Sequence, residues 1–207
     1  LSDIGVAVQE EAVGIHARHV LVLSQAMFFC CLVACFLIDH GAAAQNDGIS
    51  FYGVYAPTIL ILVVGFTCAA VGLWRTASYF ARTDAPAFSV VGLRVLALGL
   101  VALLVTPFNR GTFLNWAHMT AGVSMSLVQL GIVALLLMRR RTFSSVCGLV
   151  VQLAGGVISA ASLPDWHFGY LLQGETLFEI GFGLCLIQWT YAVLARSEDV
   201  VSARSEG

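Results

Sequence analysis

The chain is short of charge. Of its 207 residues only 11% are Asp, Glu, Lys or Arg, against 59% apolar, and mean hydropathy is +0.90. A soluble domain carries about 25% charged residues; too few are present here to coat a soluble sphere, which excludes an ordinary soluble enzyme. Lysine is absent, so all ten basic residues are arginine, and a net charge of −2 leaves no basic field for nucleic acid. There are four prolines, and two of them, Pro57 and Pro107, sit where apolar blocks end, as helix breakers should. No CxxC pair occurs among the six cysteines, all of which lie in apolar blocks as small hydrophobes, so neither a disulfide framework nor a zinc site is expected. HExxH and GxSxG are missing, which removes the usual zinc-hydrolase and serine-hydrolase signatures. No span holds two histidines in its apolar part, which disfavours a bis-histidine haem. The first 17 residues are too polar and acidic to read as a cleavable signal peptide.

What is present is a series of six long apolar blocks, at roughly 20–38, 56–74, 89–107, 117–138, 145–163 and 171–194. Each is about the length of a helix crossing a ~30 Å hydrocarbon core. Continuous blocks favour helices over the alternating strands of a barrel. The expectation is an all-α, polytopic membrane protein, a six-transmembrane-helix bundle whose short connections make neighbours in sequence neighbours in space. Nine of the ten arginines fall on one side of this topology, with Arg110 alone on the other. The positive-inside rule then places both termini in the cytoplasm, in a bacterial inner membrane. Residues 1–17 read as an N-terminal interfacial segment, 18–195 as the transmembrane domain and 196–207 as a disordered cytoplasmic tail.

Polar residues gather on the other, exterior side. The connections there hold Asp39, His40, Gln45, Asn46, Asp47, Ser50 and Tyr52, then Asn109 and Arg110, then Asp165 and His167 around Trp166. His118 lies about one turn inside the fourth span; Glu175 and Glu179 lie about one and two turns inside the sixth. The two glutamates are four apart and share a helix face. A carboxylate within a span is costly and normally faces a cavity or a partner. With no arginine on the same span, these two need a cation, a proton or a group from another span, and Arg110 and His118 are the nearest candidates. The plain alternatives stay open: Glu175 solvated at the headgroup boundary, Glu179 bonded to a neighbouring span, His118 bonded to a carbonyl, and Asp165–His167 as a solvated turn. Gly155, Gly156, Gly181, Gly183, Ala121, Gly122, Ser124 and Ser126 read as close helix–helix contacts.

The exterior run Asp47-Gly48-Ile49-Ser50-Phe51-Tyr52-Gly53 with Pro57 resembles the I-S-x-x-G … P loop of the DRAM/Frag/Sfk-type membrane proteins, and is similar to that of the bacterial six-span "domain of unknown function 998" proteins. His118 with Ala121 resembles their H-x-x-A pattern, and Glu175 or Glu179 their glutamate in the last span. Thr58 stands where those proteins carry an acidic residue. The resemblance implies a six-helix bundle with a role in lipid handling or membrane homeostasis.

Three functional expectations result. The first is an outward-facing polar cavity that binds or senses a lipid headgroup or similar amphiphile, with Arg110 on a phosphate, His118, Glu175 and Glu179 on hydroxyls or an amine, and Ser50, Tyr52 and Asn109 at the rim. The second is an accessory subunit of a larger membrane complex. The third is an intramembrane metal-dependent hydrolase using His118 and the carboxylates. Membrane lipids are the expected partners, together with other membrane subunits or further copies of this chain. The sequence names no catalytic residue, metal ligand or cofactor.

Overall fold

The computed structural model describes residues 2–82, 85–139, 141–163 and 168–205, with side chains described for 16–191 of these. Among them are seven α-helices: α1 (Ser2–Ile38), α2 (Ala42–Asp47), α3 (Ile59–Phe80), α4 (Ala87–Val105), α5 (Thr112–Arg139), α6 (Phe143–Ala161) and α7 (Leu171–Ser205), with a 3-10 turn over Gly48–Gly53. Among the described residues, five helical stretches are long and apolar enough to cross a membrane: His16–Ile38, Ile59–Phe80, Ala87–Val105, Thr112–Arg139 and Phe143–Ala161. The protein is an all-α, polytopic integral membrane protein.

The helix ends differ in detail from the apolar blocks. Sequence ends the second span at Trp74-Arg75, but α3 continues to Phe80. Its last turns turn a packed face inward: Thr76, Ala77 and Phe80 are fully buried, and the Thr76 hydroxyl donates back to the Gly72 carbonyl at 2.8 Å. Arg75 is left at the surface. α1 is helical from Ser2 and α7 to Ser205, each continuous with its apolar stretch.

Packing is set by where the backbones can approach. α1 lies along α3, where a Cβ at Gly72 would collide with the Ser24 hydroxyl and one at Gly65 would sit 2.9 Å from Cys31 Cβ. α3 packs on α4 and α4 on α5, as expected for chain neighbours. α5 and α6, although consecutive, barely touch. α6 packs instead along α7, which also contacts α1. The core contains Leu21, Phe28, Phe66, Phe80, Leu93 and Leu186, with the Phe80 and Trp189 rings edge to face at 4.1 Å.

The α6–α7 pair is a two-rung glycine zipper. Gly148 and Gly155 on α6 face Gly181 and Gly174 on α7, each pair seven residues apart. A Cβ at Gly155 would lie 2.4 Å from the Phe178 nitrogen, and one at Gly181 would lie 2.5 Å from the Gln152 nitrogen. Sequence singles out Gly155 and Gly181 but not Gly148 or Gly174. By contrast Gly156 and Gly183 make only ordinary side-chain contact, and nothing lies within 4 Å of a Cβ at Gly122.

Candidate functional site

The polar end of the bundle is closed by the α1–α3 connection. Residues 42–58 do not run over the surface as a loose exterior loop. α2 and the 3-10 turn fold back onto α7 and α3 as a plug. Ala44 and Tyr52 are fully buried and Ile49 is nearly so, which anchors the plug through apolar contact. The Tyr52 hydroxyl donates to the Asp39 carbonyl at 2.8 Å. The Thr58 hydroxyl faces the carbonyls of Tyr52 and Tyr55 at 3.0 and 3.1 Å. These contacts hold the turn that leads into α3.

The plug is then fastened to the spans by polar side chains. Glu175 on α7 accepts the Ile49 backbone N–H on Oε2 at 2.7 Å. It reaches that N–H across Gly48, whose φ of +68° and ψ of −156° lie in a region open essentially to glycine. A Cβ at Gly48 would stand 2.3 Å from Glu175 Oε2. About half a turn nearer the start of α7, the Gln173 amide donates to the Gln45 side-chain oxygen. On the other flank, Ser50 Oγ and His118 Nε2 are 2.7 Å apart, and His118 Nδ1 lies 2.7 Å from the Thr106 carbonyl. With the proton on Nδ1, the imidazole donates to Thr106 and accepts from Ser50. Glu179 lies deeper and takes a different partner: the Gln129 amide on α5 faces both its oxygens, at 3.0 and 3.1 Å.

The sequence-derived site residues therefore do not converge on one point. Ser50 and His118 meet each other. Glu175 meets the plug backbone, and Glu179 meets Gln129, so neither carboxylate is answered by Arg110 or His118. Asn109 and Arg110 are exposed on the α4–α5 turn, where the Arg110 N–H donates to the Pro107 carbonyl at 3.2 Å. Tyr52 is buried as part of the plug rather than exposed at a rim. Asp165, Trp166 and His167 lie outside the described residues. Among the described residues, no three of His, Cys, Asp and Glu converge as a metal set. Gln45, Thr58, Thr106, Gln129 and Gln173 complete the network. Of these, Gln129 was findable from sequence by the rule that flagged the glutamates, a hydrogen-bonding side chain within an apolar block.

A cavity of about 20 Å³ lies beside the Ser50–His118 pair, walled otherwise by Leu62, Phe66, Leu103, Leu104, Pro107 and Phe108 among its apolar residues. That is room for about one water. One wall is polar and the rest apolar, and the α4–α5 turn that closes it carries Asn109 and Arg110.

No known protein family, curated protein or solved structure matches this chain. Its function has to be argued from its own residues.

Tyr52 gives a direct test of plug closure. Burial, with the nearby Cys35 and Asp39, pushes its phenol up to about 12. An ordinary tyrosine titrates near 10. Between these values the unfolded chain loses the proton and the folded chain keeps it. Stability should be unaffected by Tyr52 below about pH 10 and fall as pH rises from about 10 to 12. Tyr52→Phe should remove that part of the alkaline loss. Spectroscopic titration of the phenols in detergent, with and without Tyr52, measures it; no difference in the late-titrating fraction would place Tyr52 in contact with water.

Proposed function

We propose that the chain is a six-span bundle, with α7 as the sixth span and both termini cytoplasmic in a bacterial inner membrane, whose exterior end binds a lipid headgroup or similar amphiphile. The arginine distribution supports the orientation, and the packing of α7 along α6 and α1 supports its place in the bundle. One observation carries the ligand class: the Ser50–His118 cavity is amphipathic in the way an amphiphile is. Its hydroxyl and imidazole would meet a headgroup, its leucines and Phe66 a chain. Arg110 on the adjoining turn would take a phosphate as a bidentate donor, with Asn109 beside it. A headgroup exceeds the present volume, so entry requires the Pro107–Gly111 turn to swing outward. Gly111, at φ +105° with open space around it, is where that turn can hinge. Glu175 and Glu179 act through the plug and through α5 by holding the polar end together.

Gentle extraction followed by native mass spectrometry tests this. The expected species is a single chain, or a homo-oligomer, carrying a defined lipid. Arg110→Ala removes a charge-assisted contact and should weaken retention roughly tenfold or more. Full retention in the double variant Arg110→Ala, Glu179→Ala, at unchanged thermal stability, would sink the proposal.

A second reading, an accessory subunit of a membrane complex, is favoured by α6. Only 17% of its apolar stretch is buried. Val146, Val150, Leu153 and Val157 form an exposed stripe at the spacing of a helix–helix seam. Copurification of another protein at fixed stoichiometry would decide for it.

A further inference from the structure

We propose a second lipid site at the opposite, arginine-bearing end: the groove between α5, α6 and α7 holds one anionic phospholipid. Because α6 packs on α7 and leaves α5, a groove of about 490 Å³ opens between them. That volume is in the range of ordinary ligand sites. Its inner walls are apolar, from Val133, Leu136 and Leu137 on α5 and Ile187 and Trp189 on α7. Its mouth is polar, from Thr142, Ser144, Ser145 and Gln188. Thr142 caps α6 by accepting the Ser145 N–H at 3.2 Å, and the Ser145 hydroxyl reaches Gln188 Oε1 at 3.1 Å. The apolar depth therefore fits an acyl chain, and the hydroxyl-lined mouth lies at headgroup level.

Charge chooses among lipids. Arg139 and Arg141 are exposed where α5 ends and α6 begins. On the far side, Arg18 of α1 stacks its guanidinium 4.5 Å from the centroid of Tyr191, which itself lines the groove. Among the described residues the lining contains no carboxylate. Three arginines around an apolar groove at a membrane face make the arrangement that takes anionic lipid headgroups. A lipid without net charge would leave that field unanswered. A helix of another chain would bury arginines without a counter-charge.

The full chain, reconstituted in nanodiscs of phosphatidylcholine with increasing phosphatidylglycerol, is released for native mass spectrometry. Wild type should retain one phosphatidylglycerol in preference to phosphatidylcholine. Arg139→Gln with Arg141→Gln should reduce that preference roughly fivefold per arginine. Ser144→Trp, which fills the mouth from an exposed position, should remove the phosphatidylglycerol preference with all arginines present. Arg110→Ala, which acts on a phosphate that both lipids carry, should lower total retention at the exterior end and leave the phosphatidylglycerol-over-phosphatidylcholine preference unchanged, which separates this site from the exterior one. The proposal is overturned if the arginine variant keeps the wild-type preference, if Ser144→Trp keeps that preference, if Arg110→Ala abolishes it, or if the chain emerges as a lipid-free dimer.

Discussion

Gly155→Val should pull α6 away from α7 and lower the melting temperature in detergent by about 6–12 °C. The Cβ alone would stand 2.4 Å from the Phe178 nitrogen and 2.6 Å from the Gly174 oxygen, both backbone atoms of α7. A side chain can rotate out of the way; a helix backbone has to move as a whole. Severe overpacking costs about 3 kcal/mol, and a chain of this size shifts by about 2–4 °C per kcal/mol. Moving α7 would also disturb the contacts of Glu175 and Glu179, so the damage reaches the polar end. Gly181→Val should behave alike, since its Cβ meets the Gln152 nitrogen at 2.5 Å and the Gly148 oxygen at 2.6 Å. Gly122→Val is the control, with nothing within 4 Å. Equal melting of the Gly155 and Gly122 variants would show that α6 and α7 are not packed through this zipper.

Gly48→Ala should open the plug, and Glu175→Ala should do so by a different route. The first puts a Cβ into the Glu175 carboxylate and forces a side chain into a glycine-only conformation, together about 2–4 kcal/mol. The second removes the acceptor of the Ile49 N–H. A buried donor left without a partner costs about 1–3 kcal/mol. Glu175→Gln keeps a carbonyl oxygen that can accept the same N–H and should stay close to wild type. Cys35 reports the outcome: it is fully buried, with Sγ 3.9 Å from the Thr58 carbonyl at the base of the plug. With the other five cysteines replaced, maleimide labelling of Cys35 should be slow in the wild type and in Glu175→Gln, and at least tenfold faster in Gly48→Ala and Glu175→Ala. Uniformly slow labelling would mean that the plug is held by Tyr52 and Ile49 packing alone and that Glu175 is free for another role.

The two results bear on function in different ways. Loss of the zipper damages the frame that holds α6 against α7. Opening of the plug leaves the frame standing and exposes Ser50 and His118. If the exterior end receives an amphiphile, the plug variants should alter lipid retention.

Much of the architecture was legible in the chain because it follows from composition and length. Apolar blocks of about 20 residues in a chain with so little charge leave the backbone no low-energy option but helix in a bilayer. The arginine pattern collects charge at one end, and Pro57 and Pro107 mark helix starts and stops close to where α3 begins and α4 ends. Glu175, Glu179, His118 and Ser50 could be picked out because polar groups in or beside apolar spans stand out against their surroundings. Their partners could not. A helix face states that a side chain needs an acceptor or donor, and it carries no information on which of several nearby spans supplies one. His118 bonds Ser50 and Thr106, Glu179 bonds Gln129, and Glu175 takes a backbone N–H that no sequence pattern advertises.

Three features were decided by tertiary structure alone. The stretch 42–58 reads as a polar exterior connection, but Ala44, Ile49 and Tyr52 bury enough apolar surface to fold it inward as a plug. α6 follows α5 in sequence yet packs on α7, because the glycines at 148, 155, 174 and 181 permit backbone contact there and α5 presents no matching close approach. That choice leaves the groove beside Arg139 and Arg141. The sequence determined that the chain lives in a membrane, how many apolar blocks it has and which end is charged, since these depend on summed hydrophobicity and charge. Which helix faces which was left to the fold, since that depends on whether two particular surfaces fit.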